Sequence, residues 1–110
     1  MERSVMDRRL VAELFIEQQC RKEKRVVTGL IRGTSMGDTL LNGSRVSVQL
    51  DEHPKLRSGQ IVCIRRNAKL VVHRLIFYLG PWCLEKGDAN PFPRFCRRSD
   101  IIGVLVMDDI

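Results

Sequence analysis

Six short β-like segments separated by turns constrain this chain more than any other feature of its sequence. The clearest covers residues 44 to 50, where Val46, Val48 and Leu50 alternate with polar residues and therefore share one face of a strand. The other segments cover residues 26–32, 61–66, 69–78, 82–85 and 101–107. This succession predicts a mainly β fold, either a small coiled antiparallel sheet or an incomplete barrel.

The residues before the first β-like segment follow a helical pattern instead. Leu10, Val11, Leu14 and Phe15 recur at helical spacing, which predicts an amphipathic helix over residues 7 to 22. The charged run that follows reaches residue 25 and is typical of a solvated helix end, although it would also suit an acidic partner. The sequence thus divides into an N-terminal helix and basic connector over residues 1–25 and a β domain over residues 26–110.

Composition limits the class of protein. The chain has 110 residues, which suits one domain, and its net charge of +6 favours anionic partners without choosing among them. The four cysteines form no Cys-x-x-Cys pair, and neither histidine completes a metal-like grouping with them, so no metal or cofactor is expected. No signal peptide and no apolar run long enough to span a bilayer is evident. We therefore expect a cytoplasmic protein without a transmembrane segment.

Ser35 lies in a glycine-flanked turn, residues 32 to 40, directly after the β-like segment 26–32. A serine held in such a turn can present its hydroxyl to a cleft, whereas a serine inside a regular strand is more often tied to neighbouring backbone. Gly-Thr-Ser is also ordinary turn chemistry. The turn alone is consistent with both a reactive serine and a structural one.

His73 and Asp88 supply the partners that a reactive serine needs. His73 shares the apolar face of its strand with Val71 and Leu75, which suits either a core histidine or a partly desolvated, neutral base. Asp88 follows in a glycine turn, where it either stabilises the turn or orients the imidazole. The three residues are therefore the candidate catalytic residues.

Five motifs, in this order, resemble the signal-peptidase and LexA-type serine protease superfamily. They are Gly-Thr-Ser-Met-x-x-Thr-Leu-x-x-Gly at 33–43, Arg-x-Gly-x-Ile-Val at 57–62, Val-Val-His-Arg at 71–74, Lys-Gly-Asp-Ala-Asn at 86–90 and Ile-Gly-x-Leu-Val at 102–106. The resemblance covers roughly residues 26 to 107. It implies a coiled β-sheet fold, a nucleophile at Ser35, a general base at His73 and a supporting carboxylate at Asp88. It also implies a peptide or protein substrate bound as an extended strand.

The sequence departs from the family pattern at several positions. Asp38 stands where the family commonly has proline, and Ser44 and Gln60 replace aspartates that often follow the turn glycines. The favoured hypothesis is a serine endopeptidase that cleaves a peptide or protein tail, one possible role being leader-peptide removal. The charge of Asp38 near the nucleophile motivates the alternative, a catalytically silent peptide-binding module. A basic nucleic-acid-binding domain rests on net charge alone, since base-stacking aromatics are not interleaved with the arginines, and nucleic acid is not an obligatory partner.

Overall fold

The fold is mainly β, as expected. The structure is a computed structural model, and it describes residues 12–19 and 25–106. Within those ranges the elements are β1 (Glu13–Gln19), β2 (Val26–Arg32), β3 (Arg45–Leu50), β4 (Ile61–Arg66), β5 (Lys69–Leu79), β6 (Trp82–Lys86), β7 (Arg94–Arg97), a 3-10 turn (Arg98–Asp100) and β8 (Ile101–Val106).

All eight strands belong to one antiparallel sheet, in the order β1-β2-β3-β8-β4-β5-β6-β7. The sheet coils back on itself because β1 also meets β5, where Glu13 pairs with Val71. Beside that pair, the Val72 amide donates to the Ala12 carbonyl over 2.8 Å. Six strands therefore form a ring, and β6 and β7 extend from β5 outside it.

Most of the predicted strands are found at or within one or two residues of their expected ends. Asn67 and Ala68 form the hairpin turn between β4 and β5, with φ of 50° and 67°. Two positive φ values are what a tight turn between twisted strands requires. The strand β7 was not predicted, because its four residues carry arginine at both ends and lie close behind two prolines.

The predicted N-terminal helix is wrong for residues 13 to 19, which form β1 instead. This segment pairs along its length with β2, from Glu13 opposite Arg32 to Gln19 opposite Val27. Strand pairing supplies partners for the backbone amides and carbonyls that a helix would have satisfied internally, so tertiary context overrides the helical spacing. The boundary predicted at residue 25 therefore does not separate β1 from the sheet, while the rest of the predicted helix lies outside the described residues.

The core is built mostly from aliphatic side chains and divides into two clusters. One cluster lies inside the ring and includes Leu14, Ile31, Met36 and Val72. The other lies between β4, β5, β6, β7 and β8 and includes Leu75. The serine turn and the histidine strand both contribute to the first cluster, through Met36 and Val72. Packing at this point therefore fixes the two elements that carry the candidate site.

In the part of the chain that is described, no helix is long and apolar enough to cross a membrane.

Candidate active site

The Ser35 turn is a tight, hydrogen-bonded structure at the end of β2. Gly33 and Gly37 adopt φ of 115° and 56°, values that residues with a Cβ rarely adopt. Between them the Gly37 amide donates to the Thr34 carbonyl over 3.0 Å. The glycines thus allow the chain to reverse immediately after the strand, with Ser35 held at the reversal.

Ser35 and His73 meet as predicted. The Ser35 Oγ lies 2.9 Å from Nε2 of His73, which lies on the same face of β5 as Leu75. The two residues are 0% and 3% exposed. A serine hydroxyl within hydrogen-bond reach of an imidazole nitrogen is the geometry in which histidine can accept the hydroxyl proton.

Glu85, on β6, occupies the other side of the imidazole. Its Oε1 lies 2.7 Å from Nδ1 of His73, and its side chain is fully buried. A carboxylate accepts hydrogen bonds, so it favours the tautomer in which Nδ1 carries the proton and Nε2 keeps its lone pair toward Ser35. The three side chains therefore form one continuous chain of hydrogen bonds: hydroxyl, imidazole, carboxylate.

Arg66 compensates the charge of the buried Glu85. Its guanidinium, near the end of β4, forms an ion pair with Oε2 of Glu85, while Oε1 accepts from His73. Burial alone would raise the pKa of Glu85, but the hydrogen bond from His73 and the charge of Arg66 outweigh it and hold that pKa below its usual value. Glu85 is therefore ionised at neutral pH despite its burial.

Asp88 does not contact His73, so its predicted role as the residue that orients the imidazole is wrong in this geometry. Its carboxylate instead accepts two hydrogen bonds from Arg74, at 2.9 and 2.8 Å, and one from the Thr39 hydroxyl at 2.6 Å. The bond from Arg74, with a smaller contribution from Thr39, lowers the pKa of Asp88 to about 2. Both nitrogens of His73 already have partners, which leaves Asp88 to pair with the next residue along the strand.

Asp88 lies instead in a loop that braces the serine turn. Next to it, the Ala89 amide donates to the Ser35 carbonyl over 2.6 Å. A Cβ added to Gly87 would lie 2.7 Å from the Ser35 Cβ and 2.8 Å from its carbonyl oxygen. Only glycine permits this close approach, so the loop and the turn fit together as one rigid unit.

The pattern of β6 contained a signal for Glu85. Alternation along that strand sets Glu85 on the same face as Cys83, which is the buried face. A carboxylate on a core face needs a charged or hydrogen-bonding partner. His73 and Arg66 are the partners that meet this need, and they are brought to Glu85 by pairing between strands that are distant in sequence.

The described cysteines are buried and are not in disulfides. Burial raises the pKa of Cys63 to about 12, so its thiol is protonated in the core. Cys83 and Cys96 are also buried, and burial raises the pKa of both. Across residues 12–19 and 25–106, no three histidine, cysteine or acidic side chains form a group that could hold a metal ion.

Comparison of the chain with protein-family models, with curated proteins and with solved structures found no match.

Proposed function

We propose that this protein is a serine endopeptidase in which Ser35 attacks the substrate carbonyl and His73 acts as general base. The observation that carries the proposal is the unbroken chain of hydrogen bonds from the Ser35 hydroxyl through the His73 ring to the Glu85 carboxylate, at 2.9 and 2.7 Å. Three side chains from three different elements converge in the order that acyl transfer requires. The superfamily resemblance of the serine and histidine motifs points the same way.

Each residue has a definite role in the proposed reaction. His73 takes the hydroxyl proton at Nε2 as Ser35 Oγ bonds to the carbonyl carbon, and it returns that proton to the leaving amine. Glu85 stabilises the imidazolium that forms in between, and the backbone amide of Ser35 is the proposed oxyanion donor. A water molecule then attacks the acyl-enzyme by the same route, releasing the acid and restoring Ser35.

The proposed substrate is a peptide or a protein tail in an extended conformation. The strands β2 and β5, which lead to Ser35 and carry His73, are the natural partners for such a segment. The start of β1 already lies beside them, with Ala12 bonded to Val72 and Glu13 opposite Val71. An incoming strand at this position would therefore replace the first residues of β1.

Covalent labelling tests the assignment without knowledge of the substrate. A fluorophosphonate probe should label the folded protein at Ser35, and Ser35→Ala and His73→Ala should each abolish labelling. Ser58→Ala is the matched control, because Ser58 is an exposed loop serine outside the site, and it should label like the unaltered protein. Persistent labelling of a folded Ser35→Ala protein would show that Ser35 is not the nucleophile.

The burial of Ser35 and His73 favours one competing function, a peptide-binding module of the same fold without turnover. Because Ser35 is 0% exposed, its hydroxyl cannot reach a substrate carbonyl until the residues that cover it move. Asp38, by contrast, is exposed, so solvent screens its charge from the site. Failure of the folded, unaltered protein to label with any acylating or phosphonylating probe, combined with tight peptide binding, would support this second function.

A further inference from the structure

The end of β5, together with β6 and β7 outside the ring, carries one apolar, exposed face. Cross-strand pairing aligns Phe77 with Leu84 and Phe95 in one row, and Leu79 with Trp82 and Arg97 in the next. Leu79 is 72% exposed, Phe95 69% and Trp82 49%. We refer to Phe77, Leu79, Trp82, Leu84 and Phe95 as the outer face.

The exposure of the outer face is not explained by a lack of space in the core. The opposite face of the same strands is well packed, since Leu75, Cys83 and Cys96 are buried against the second core cluster. Aromatic residues are only 5% of the chain, yet four of the six are exposed here or in the adjoining loop. These four are Phe77, Trp82, Phe92 and Phe95. A cluster of large, exposed apolar side chains indicates a surface that binds another molecule or a membrane.

The charges around the outer face are basic. Strand alternation sets Arg97 at one end of the face and Lys86 at the other, and the Arg97 guanidinium lies 5.2 Å from the Trp82 ring centre. No carboxylate lies on the face among the described residues. Glu85 points into the core, and Asp88 is paired with Arg74.

A basic cleft lies at the Trp82 end of these strands, on the side of the sheet opposite the outer face, since Leu56 and Tyr78 line it. It has a volume of about 700 Å³, and Arg97 borders it. The cleft is also lined by His53, Lys55 and Arg98, and Glu52 is the one carboxylate among its lining residues. The cleft adds to the positive charge at this end of the strands, which favours an anionic partner.

We propose that the outer face docks onto a membrane surface that contains anionic lipid. Aromatic and aliphatic side chains enter the boundary between headgroups and acyl chains, while Arg97 and Lys86, at the two ends of the face, contact the anionic headgroups. A second copy of this chain is a poorer occupant. A contact of the face with itself would bring the same cations together in one interface without a carboxylate of that face to neutralise them.

Vesicle binding of the full chain tests the proposal, and Trp82 is a built-in reporter because it is the single tryptophan. Vesicles of phosphatidylglycerol and phosphatidylcholine in equal parts should sediment the protein and shift its tryptophan emission to shorter wavelength. Vesicles of phosphatidylcholine alone should bind it more weakly. Because the anchors are apolar, salt should weaken the binding without removing the emission shift.

Variants separate a specific face from general attraction by the net charge. Leu79→Ser and Phe95→Ser should each weaken vesicle binding by roughly tenfold or more, since each removes an apolar anchor. Leu41→Ser is the matched control, because Leu41 is an exposed apolar residue outside the face, and it should bind normally. Arg97→Gln should weaken vesicle binding more than Arg65→Gln, because Arg65 is an exposed arginine on β4, outside the face.

Three results would overturn the proposal. The first is the absence of binding and of an emission shift with anionic vesicles. The second is unchanged binding by folded Leu79→Ser and Phe95→Ser proteins, which would leave only non-specific attraction of a basic protein. The third is a concentration-dependent dimer that these two substitutions dissociate and that does not bind vesicles, which would assign the face to a second copy.

Discussion

Glu85 Oε1 lies 2.7 Å from Nδ1 of His73, on the side of the ring opposite the Ser35 hydroxyl. This relationship makes Glu85, and not Asp88, the carboxylate that fixes the histidine tautomer. The two carboxylates are three residues apart in sequence but serve different parts of the site. Glu85 supports the base, and Asp88 supports the loop that holds the nucleophile.

Replacing each carboxylate by its amide should therefore give unequal effects. Glu85→Gln removes the charge that stabilises the imidazolium, and we expect the rate of Ser35 phosphonylation to fall by about 100- to 10,000-fold. Asp88→Asn leaves the His73 contacts in place, and the rate should fall by about tenfold or less. The measurement is the labelling rate at neutral pH, with thermal unfolding to confirm that both proteins fold. A larger loss in Asp88→Asn would return Asp88 to the role that the sequence suggested.

Removing Arg66 should destabilise the protein through Glu85. Arg66→Met leaves the buried carboxylate with the hydrogen bond from His73 but without a compensating charge, and the free energy of unfolding should fall by about 2 to 4 kcal/mol. The control is Arg65→Met on the same strand, where the side chain is exposed and the change should stay within about 0.5 kcal/mol. Urea denaturation measures both. Equal effects of the two substitutions would show that the buried ion pair contributes nothing specific.

The low pKa of Asp88 predicts a dependence of stability on pH. Its pKa is about 2 in the folded protein and 3.8 in the absence of the fold, so its contribution is present above about pH 3.8 and is lost as the pH falls toward 2. Since Asp88 is partly exposed, that contribution is about 1 to 2 kcal/mol. The difference in unfolding free energy between the unaltered protein and Asp88→Asn should be smaller at pH 2.5 than at pH 5. A gap that is constant between the two pH values would contradict the linkage.

Gly87→Ala should impair the site more than it impairs folding. The added methyl would approach the Ser35 side chain and carbonyl to under 3 Å, so the turn must shift and misplace the hydroxyl. Gly80→Ala is the control, because Gly80 has φ of 57° but open space around its Cβ position, and it should cost about 1 kcal/mol of stability without loss of labelling. Normal labelling of Gly87→Ala would mean that the loop does not position Ser35.

Much of the fold and two of the three site residues were predictable from local pattern. The strand β3 alternates apolar and polar residues, and β4 and β5 are apolar runs joined by a two-residue turn, so their limits follow from the sequence. Ser35 after a strand and His73 on an apolar face were likewise visible. The strand β1 was not, because Leu10, Val11, Leu14 and Phe15 fit a helix and the pairing of β1 with β2 depends on a partner distant in the chain.

Local sequence patterns account for the strands, the turn glycines and the residue types that acid–base chemistry needs. Which carboxylate serves His73 was decided by tertiary structure, at a bulge in β5. Uninterrupted pairing back from Leu79 and Trp82 would set His73 opposite Asp88, but the bulge at Ile76 shifts the register by one residue and sets Leu75 opposite Glu85. A one-residue shift exchanges the faces on which side chains meet, because strand side chains alternate. Glu85 therefore reaches His73, and Asp88 pairs with Arg74.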